Sequence, residues 1–317
     1  MDVCAGIDIG GTNTAFGLVD AAGNVHFEGR LETATWAAVE DYVDALAGEV
    51  RAAVATGGVT LRGIGVGAPN ANERDGTIAH APNLPWKGAI PLAAMIAERF
   101  AGCPVRVAND ANAAAVGELV YGGARRLRDF VMVTLGTGVG GGFVANGELV
   151  RGHDGLAGEL GHVVVDWDGR PCGCGRRGCL ETYASVPGFV ETARALLAAG
   201  EEPSVLRDIE PLTGRDVTAA ARAGDAIAFA TFERTGRVLG RALANVVALT
   251  GPERIFVFGG LAQAGELLLE PTQRHLDRNV LDVLAHETRL ELSQLLDRNA
   301  GILGAAALAW RRLAAAD

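Results

Sequence analysis

Along this chain the spacing of apolar residues switches repeatedly between strand and helix periods. Val3 to Ile9 is an almost unbroken apolar run that predicts a buried strand, and strand resumes from Ala15 to Val19 after Gly10-Gly11-Thr12-Asn13. A turn at Ala22-Gly23-Asn24 follows, so the start of the chain is a hairpin with a glycine-rich bend. Within 35–55, Val39, Tyr42, Val43, Leu46 and Val50 recur at helical spacing and predict a long amphipathic helix. A buried strand is expected over 64–68, and a helix over 91–100 with proline near its first turn. A short strand over 105–107 then delivers Asn109-Asp110 to the start of a helix at 111–120.

The pattern then begins again. Phe130 to Leu135 predicts a strand that runs into Gly136-Thr137-Gly138-Val139-Gly140-Gly141-Gly142. Residues 143–145 and 148–150 flank Asn146-Gly147, a pair that tolerates positive φ and marks a tight hairpin. Helices are expected over 187–199, 213–223 and 225–249, followed by a strand over 254–258 that enters Gly259-Gly260. A helix to about Val283, a last strand over 289–292 and a C-terminal helix over 301–315 complete the chain. Strands alternating with helices predict an α/β protein, and the two strand–glycine–strand hairpins argue against a purely parallel sheet. No linker marks a boundary; the division is placed near Asn112, because sites often lie between domains. The blocks Ile7–Thr12 and Thr134–Gly138 look like an internal repeat, each ending a strand in glycine and threonine before turning back. Glycine lets backbone N–H groups approach oxygens closely, so two such bends facing one another suit a polyphosphate.

Composition narrows the class. A length of 317 residues suits two domains at about 150 residues each, and a hydrophobic fraction of 49% excludes disorder. No apolar stretch approaches the ~20 residues of a membrane span, and Met1-Asp2-Val3-Cys4 lacks the basic segment of a signal peptide, so a cytoplasmic location is expected. The net charge of −10 leaves no electrostatic footprint for nucleic acid. An anionic substrate would need local donors or a metal. Five cysteines in so long a chain are not a disulfide scaffold.

Several familiar motifs fail on context. Gly136-x-Gly138-x-x-Gly141 matches a dinucleotide fingerprint formally, but that fingerprint opens a helix and a hairpin follows here. A P-loop or protein kinase needs a placed lysine, and the single lysine lies in Pro85-Trp86-Lys87-Gly88. Any one glycine reads as a turn, yet three clusters at strand ends (10–11, 136–142 and 259–260) favour a phosphate site, with Thr12 and Thr137 adding hydroxyl donors. Asp110, at a strand end before a helix, is placed as a general base, although Asn-Asp there is also an ordinary helix N-cap. Asn83 reads equally as a turn residue, and Glu159 and Glu181 as a solvated face. His162, Cys172, Cys174 and Cys179 are the ligand types of a closed zinc site, with glycines at 173, 175 and 178 permitting a tight loop. One and four residues between the cysteines depart from a usual finger, and ordinary thiols or a disulfide are the alternatives. His153, Asp154, Asp166 and Asp168 read as loop and surface groups, and Cys4 and Cys103 as small core residues.

Eight blocks, in order, carry a family resemblance. They are Asp8-Ile9-Gly10-Gly11-Thr12-Asn13, Pro82-Asn83-Leu84-Pro85-Trp86, Asn109-Asp110-Ala111-Asn112, Leu135 to Gly142, Gly158-Glu159-Leu160-Gly161-His162, Cys172-Gly173-Cys174-Gly175, Gly178-Cys179-Leu180-Glu181 and Val257-Phe258-Gly259-Gly260. With them the sequence resembles the ROK family of bacterial sugar kinases and repressors, within the actin-like ATPase superfamily. The resemblance implies two actin-like (ribonuclease H-like) α/β domains with a sugar and ATP cleft between them. Residues 1–112, completed by 301–317, would form one domain, and 113–300, with the zinc-binding loop, the other. It implies an ATP-dependent hexose kinase, glucokinase first. N-acetylglucosamine, N-acetylmannosamine, mannose, fructose or allose are alternative substrates, and polyphosphate is a less favoured donor.

By the same resemblance Asp110 is the base, and Asn83, Asn109, Asp110, Glu159, His162 and Glu181 bond the sugar. Asp8, Gly10, Gly11, Thr12, Asn13, Thr137, Gly138, Gly259 and Gly260 would face ATP and Mg²⁺, with Asp8 holding the metal through water. His162, Cys172, Cys174 and Cys179 would hold a structural Zn²⁺ that fixes the His162 tautomer. Trp86 would either wall the sugar site or simply pack. A homodimer is implied, with no nucleic-acid or membrane partner. A sugar-responsive repressor of the same family is the rival from another class. Such repressors carry an N-terminal helix-turn-helix, whereas the first strand expected here begins by residue 3.

Overall fold

The first strand, β1 (Asp2–Ile9), is buried at every position from Val3 to Ile7, which is why its sequence is an apolar run and not an alternation. The computed structural model describes residues 1–79, 81, 83–284, 288–296 and 298–314. Gly10–Thr12 turn β1 back into the antiparallel β2 (Asn13–Val19), and β2 pairs with the antiparallel β3 (Val25–Glu32). β3 was not expected from the sequence. Its residues alternate between half-buried and exposed, the mark of an edge strand with one face in water. Helix α1 (Val39–Gly57) starts later than expected, because Thr33–Thr35 form a single 3₁₀ turn. It leads to β4 (Thr60–Gly67), parallel to β1. Three very short strands, β5 (Ala71–Asn72), β6 (Thr77–Ala79) and β7 (Ala89–Ile90), make a small separate antiparallel sheet. Each is too short to show a period in sequence. Helix α2 (Leu92–Arg99) follows Pro91, then comes β8 (Val105–Ala108), parallel to β4, and α3 (Asp110–Tyr121).

The second half uses the same plan. β9 (Phe130–Leu135) and β10 (Val139–Ala145) are an antiparallel hairpin. Asn146 (φ 55°) and Gly147 (φ 82°) turn the chain into β11 (Glu148–Leu149). The one-turn helix α4 (Glu181–Ala184) precedes the expected helices, α5 (Val186–Ala199), α6 (Gly214–Arg222) and α7 (Ala226–Thr250). β12 (Arg254–Phe258) lies parallel to β9, α8 (Glu266–Asp277) follows, and β13 (Arg289–Leu292) lies parallel to β12. The order β10-β9-β12-β13 therefore repeats β2-β1-β4-β8, so the two glycine blocks mark a duplicated sheet. Helix α8 stops at Asp277, short of Val283, where only a 3₁₀ turn (Asp282–Leu284) is found.

The chain forms two compact units. One comprises 1–127, 148–158 and the segment from 294; the other comprises 128–147 and 159–293. A boundary near Asn112 would cut α3 in its first turn, but α3 is one helix packed on α9 (Ala300–Ala314) within the first unit. Residues 315–317 of the expected final helix lie outside the described residues. α9 lies directly on β1 and β4. Gly6 and Gly65 allow this approach: a methyl at either would fall 2.0 Å from the Ile302 carbonyl oxygen or 1.7 Å from that of Ala305. Behind β1, Tyr42 stacks on Trp86 with ring centroids 4.6 Å apart, and both are buried in the core. Among the described residues, no helix is long and apolar enough to cross a membrane.

Because the obstacle at position 65 is backbone, Gly65→Ala should destabilise the protein by roughly 1–3 kcal/mol or more, the usual penalty of overpacking. Urea unfolding measures this, and an unchanged midpoint would mean that α9 is not held at this distance.

Candidate functional site

In the first unit, strand register decides which side chains meet. Asp8 pairs with Gly67 across β1 and β4, and Gly67 pairs with Ala108 across β4 and β8. Asp8 and Asn109-Asp110 therefore leave the sheet together at the carboxyl ends of its parallel strands, where ligands of open α/β sheets bind. Gly67 puts no side chain between them: a methyl there would stand 3.9 Å from both Asp8 Oδ1 and the Asp110 Cα.

This crowding shows in the acidities. Burial first, and the Asp110 charge second, push the Asp8 carboxyl up to about 6. Burial also raises Asp110, opposed by hydrogen bonds from backbone N–H groups, chiefly that of Ala111 at 2.7 Å. Asp110 still reaches water on one side, so it is exposed while protein displaces solvent from the rest of its surroundings. Asn109 is the N-cap of α3, its Oδ1 accepting from the Ala111 N–H at 2.9 Å. That leaves its amide NH₂ free to face a ligand.

The bend between β1 and β2 is closed by the Gly10 N–H donating to the Asn13 carbonyl at 2.9 Å. Asn83 is brought against it, with its carbonyl oxygen 2.3 Å from where Gly11 would carry a methyl. Its neighbour Pro82 lies outside the described residues. Thr12 is exposed on the bend. Beneath it, Thr14 Oγ1 meets the Tyr42 hydroxyl at 2.7 Å and Thr33 Oγ1 at 2.9 Å, all three residues being fully buried. Sequence reasoning missed this network; its one signal was a threonine inside an apolar strand. Trp86 is 6% exposed and donates its indole N–H to the Trp36 carbonyl at 3.0 Å, so it packs and does not wall an open site.

In the second unit the Gly136 N–H donates to the Gly138 carbonyl at 2.9 Å, closing the matching bend, and Gly259-Gly260 follow the adjacent parallel strand β12. Thr137 is exposed there. Glu181, the first residue of α4, accepts from the Val139 N–H through Oε2 at 3.1 Å, and that oxygen lies 2.5 Å from where Gly138 would carry a methyl. Gly161 packs on the Val139 carbonyl in the same place. The 3₁₀ turn Leu160–His162, with exposed Glu159 before it, is thus drawn to the start of β10 beside Glu181.

His162, Cys172, Cys174 and Cys179 offer four ligand atoms within 4.8 Å of one another. His162 Nδ1 is 3.7 Å from Cys172 Sγ, and the Cys174 and Cys179 sulfurs are 3.6 Å apart. A disulfide needs about 2.05 Å, whereas four ligands set tetrahedrally at zinc distances stand roughly 3.3–3.8 Å apart. The donor set fits zinc. Hydrogen bonds from Arg176, backbone first, pull the Cys174 thiol down to about 6 and favour its thiolate. Arg170 stacks over Tyr183 at 4.7 Å and donates to the Thr182 and Gly188 carbonyls, tying the loop to α4 and α5. Asp166 is not a surface bystander: it accepts from the Tyr183 hydroxyl at 3.2 Å. His153 and Asp154 do lie in a loop, where their carbonyls accept from Arg74 and Asn72. Cys4 and Cys103 pack in or against the core.

A duplicated sheet of this order, with glycine bends and acidic groups at its strand ends, is the build of α/β proteins that handle phosphate. Comparison with known proteins agrees. The ROK family model matches residues 4–312. A glucokinase of Streptomyces coelicolor is 37% identical over 316 residues, 98% of each chain. A glucokinase of Halalkalibacterium halodurans is 40% identical over 249 residues, 77% of this chain and 74% of that one. The crystal structure of a ROK family glucokinase from Streptomyces griseus in complex with glucose and AMPPNP is 35% identical, with a TM-score of 0.81 over 98% of this chain and 99% of that one. The chain belongs to the ROK family, and its two units have the actin-like α/β fold expected from the resemblance.

The raised Asp8 value has a definite consequence for stability. The folded protein holds this proton more tightly than the unfolded chain, whose group titrates near 3.8. Asp8 therefore favours the folded state in acid, and that advantage is lost as pH rises through about 6. Asp8→Asn should raise the unfolding temperature by a few degrees at about pH 8, with the gain vanishing below about pH 4. Thermal unfolding at both pH values checks this; an equal gain at each would exclude charge as the cause.

Proposed function

We propose that this protein is an ATP-dependent hexose kinase that phosphorylates glucose to glucose 6-phosphate. The observation that carries the reading is the pair of neighbouring carboxylates, Asp8 and Asp110, beside the 10–13 bend in a chain of the ROK family. The 37% identity to a glucokinase over nearly all of both chains supports glucose among the alternative sugars.

Asp110 accepts the proton of the sugar hydroxyl as that oxygen attacks the γ-phosphorus in line. Its Oδ1 is held by the Ala111 N–H, which leaves Oδ2 for the sugar, and a raised pKa strengthens it as a base. By the family resemblance the Asn109 amide NH₂ and Asn83 bond ring hydroxyls, and Glu159, His162 and Glu181 are candidates for the same role. A carboxylate accepts from vicinal hydroxyls, and an amide both donates and accepts. Glu181 is fixed for this by the Val139 N–H at 3.1 Å. It stands at the Thr137-Gly138 bend, so a sugar it held would lie next to a phosphate bound there. Backbone N–H groups of Gly10–Asn13, Thr137-Gly138 and Gly259-Gly260 take the phosphates of ATP.

Two neighbouring, partly desolvated carboxylates suit a hard cation that relieves their repulsion, and Asp8 would hold Mg²⁺ through water. When bound, Mg²⁺ neutralises charge on the β- and γ-phosphate oxygens. His162 Nδ1 and the three cysteines would hold zinc, which would fix the tautomer and leave Nε2 for the sugar. A cytoplasmic homodimer, implied by the family resemblance, belongs to the same proposal; light scattering reads the oligomer.

Measuring ADP release across hexoses and N-acetylhexosamines tests the reaction, with glucose expected to give the strongest signal. Asp110→Asn should lower turnover by about 10²–10⁴, the usual share of a general base, with glucose affinity little changed. Turnover near that of the unaltered protein would remove Asp110 from this role. Metal analysis of protein purified without chelator should find one zinc per chain, and stripping it should loosen the 162–181 loop to proteolysis. Well under one zinc per chain would refute the structural site.

A further inference from the structure

We infer that Gly301 is a positioning residue for Asp8: the missing side chain in the first turn of α9 sets where the Asp8 carboxylate lies, and through it the cation dependence of phosphoryl transfer. The inference rests on the assignment of Asp8 to Mg²⁺ made above. A methyl at position 301 would fall 2.2 Å from Asp8 Oδ2, 2.5 Å from its Cγ and 2.8 Å from its Cβ. All three distances are well inside van der Waals contact. Among the described residues outside α9, these are the three atoms nearest to that position.

The nature of the obstacle separates Gly301 from the other glycines at this packing face. At Gly6, Gly65 and Gly304 a methyl would strike backbone: the carbonyl oxygens of Ile302, Ala305 and Ala113 at 2.0, 1.7 and 2.5 Å. Those collisions would have to move a helix or a strand. At Gly301 the three nearest atoms all belong to Asp8: its Oδ2 and Cγ, at 2.2 and 2.5 Å, can turn away about the side-chain bonds, whereas Cβ, at 2.8 Å, moves only with the β1 backbone. A methyl there is accommodated chiefly by displacing the Asp8 carboxylate, with a backbone shift of a few tenths of an ångström, much less than the collisions at Gly6 and Gly65 would demand.

The same backbone contacts limit how far α9 can yield instead. Gly6 and Gly65 fix it on β1 and β4, and Gly304 fixes it on α3. The far side of Asp8 is more open, since a methyl on Gly67 would stand 3.9 Å from Oδ1, an ordinary contact. The displaced carboxylate is thus pushed off Gly301 towards Gly67 and the Asp110 backbone.

The test compares Gly301→Ala, Asp8→Ala and the double variant in the full chain. Three readouts are taken: the Mg²⁺ concentration for half-maximal rate, the affinity for ADP in Mg²⁺ by calorimetry, and the unfolding temperature. Gly301→Ala should weaken both Mg²⁺-dependent quantities roughly tenfold, as loss of a group orienting a metal ligand typically does. Glucose KM should be unchanged, and the unfolding temperature should fall less than in Gly65→Ala, because most of the collision is with a carboxylate that can turn and alanine is a better helix former than glycine. Gly48→Ala in α1, where a methyl meets open space, controls for that helix effect and should leave the Mg²⁺ dependence unaltered. If Gly301 acts through Asp8, the double variant should match Asp8→Ala alone. Wild-type Mg²⁺ dependence in Gly301→Ala, additive losses of Mg²⁺ dependence in the double variant, or a drop in the unfolding temperature of Gly301→Ala as large as that of Gly65→Ala would each overturn the inference. Unchanged Mg²⁺ dependence in Asp8→Ala would instead overturn the assignment of Asp8 itself, and this inference with it.

Discussion

The first unit depends on one close approach, that of helix α9 to the backbone of β1 and β4. The carbonyls of Ile302 and Ala305 occupy the places where side chains at positions 6 and 65 would otherwise stand. A helix normally rides on a sheet at the distance its side chains impose. Removing them from the floor brings the two backbones together, and apolar residues of α9 from Ile302 to Ala309 then fill the remaining space. The first turn of α9 thereby reaches the end of β1, where Asp8 stands. Segment 294–314, last in the chain, is thus part of the unit that contains residue 1.

The acidic groups at that sheet edge oppose stability. Asp8 and Asp110 are neighbours because parallel register leaves them so, and their repulsion and burial disfavour the ionised forms. No optimisation of the fold alone would keep both. Such local conflict between stability and chemistry is usual at functional sites, where a rigid surround holds groups in arrangements they would not choose. The surround here is specific: Asn109 and the Ala111 N–H hold the start of α3, and the buried Thr14–Tyr42–Thr33 network holds the base of the neighbouring bend.

In the second unit, rigidity comes from a different source. The large apolar residues of the loop from His162 to Cys179, namely Val163, Val164, Val165 and Trp167, are half-buried or exposed, so they give it no hydrophobic core of its own. The Arg170–Tyr183–Asp166 contacts stand in for that core, and a zinc ion on the four clustered ligand atoms would add to them. The arginine and tyrosine contacts anchor the loop beside α4, whose first residue, Glu181, lies on the Thr137-Gly138 bend.

Much of this was legible in the sequence. The apolar runs of β1, β4, β9 and β12 and the long amphipathic helices announce themselves by period, since burial on a given face demands a fixed spacing. The two glycine bends disclosed the duplicated sheet, and the ligand types of the cysteine–histidine group were visible by inspection. Two kinds of element were missed: β3, whose strict alternation from Val25 to Glu32 was a readable signal that went unused, and β5 to β7, which are too short for any period to develop. Proximity between distant segments was also hidden. That Glu181 sits on the Gly138 bend, that Asn83 covers Gly11, and that Gly301 leaves room for Asp8 are consequences of packing. The sequence by itself determined which residues must be buried and which kinds of chemistry were present, because hydrophobicity and side-chain type are properties of single positions. Only the tertiary structure decided which of those groups touch, because strand register and the approach of α9 are set by contacts between segments that no local pattern records.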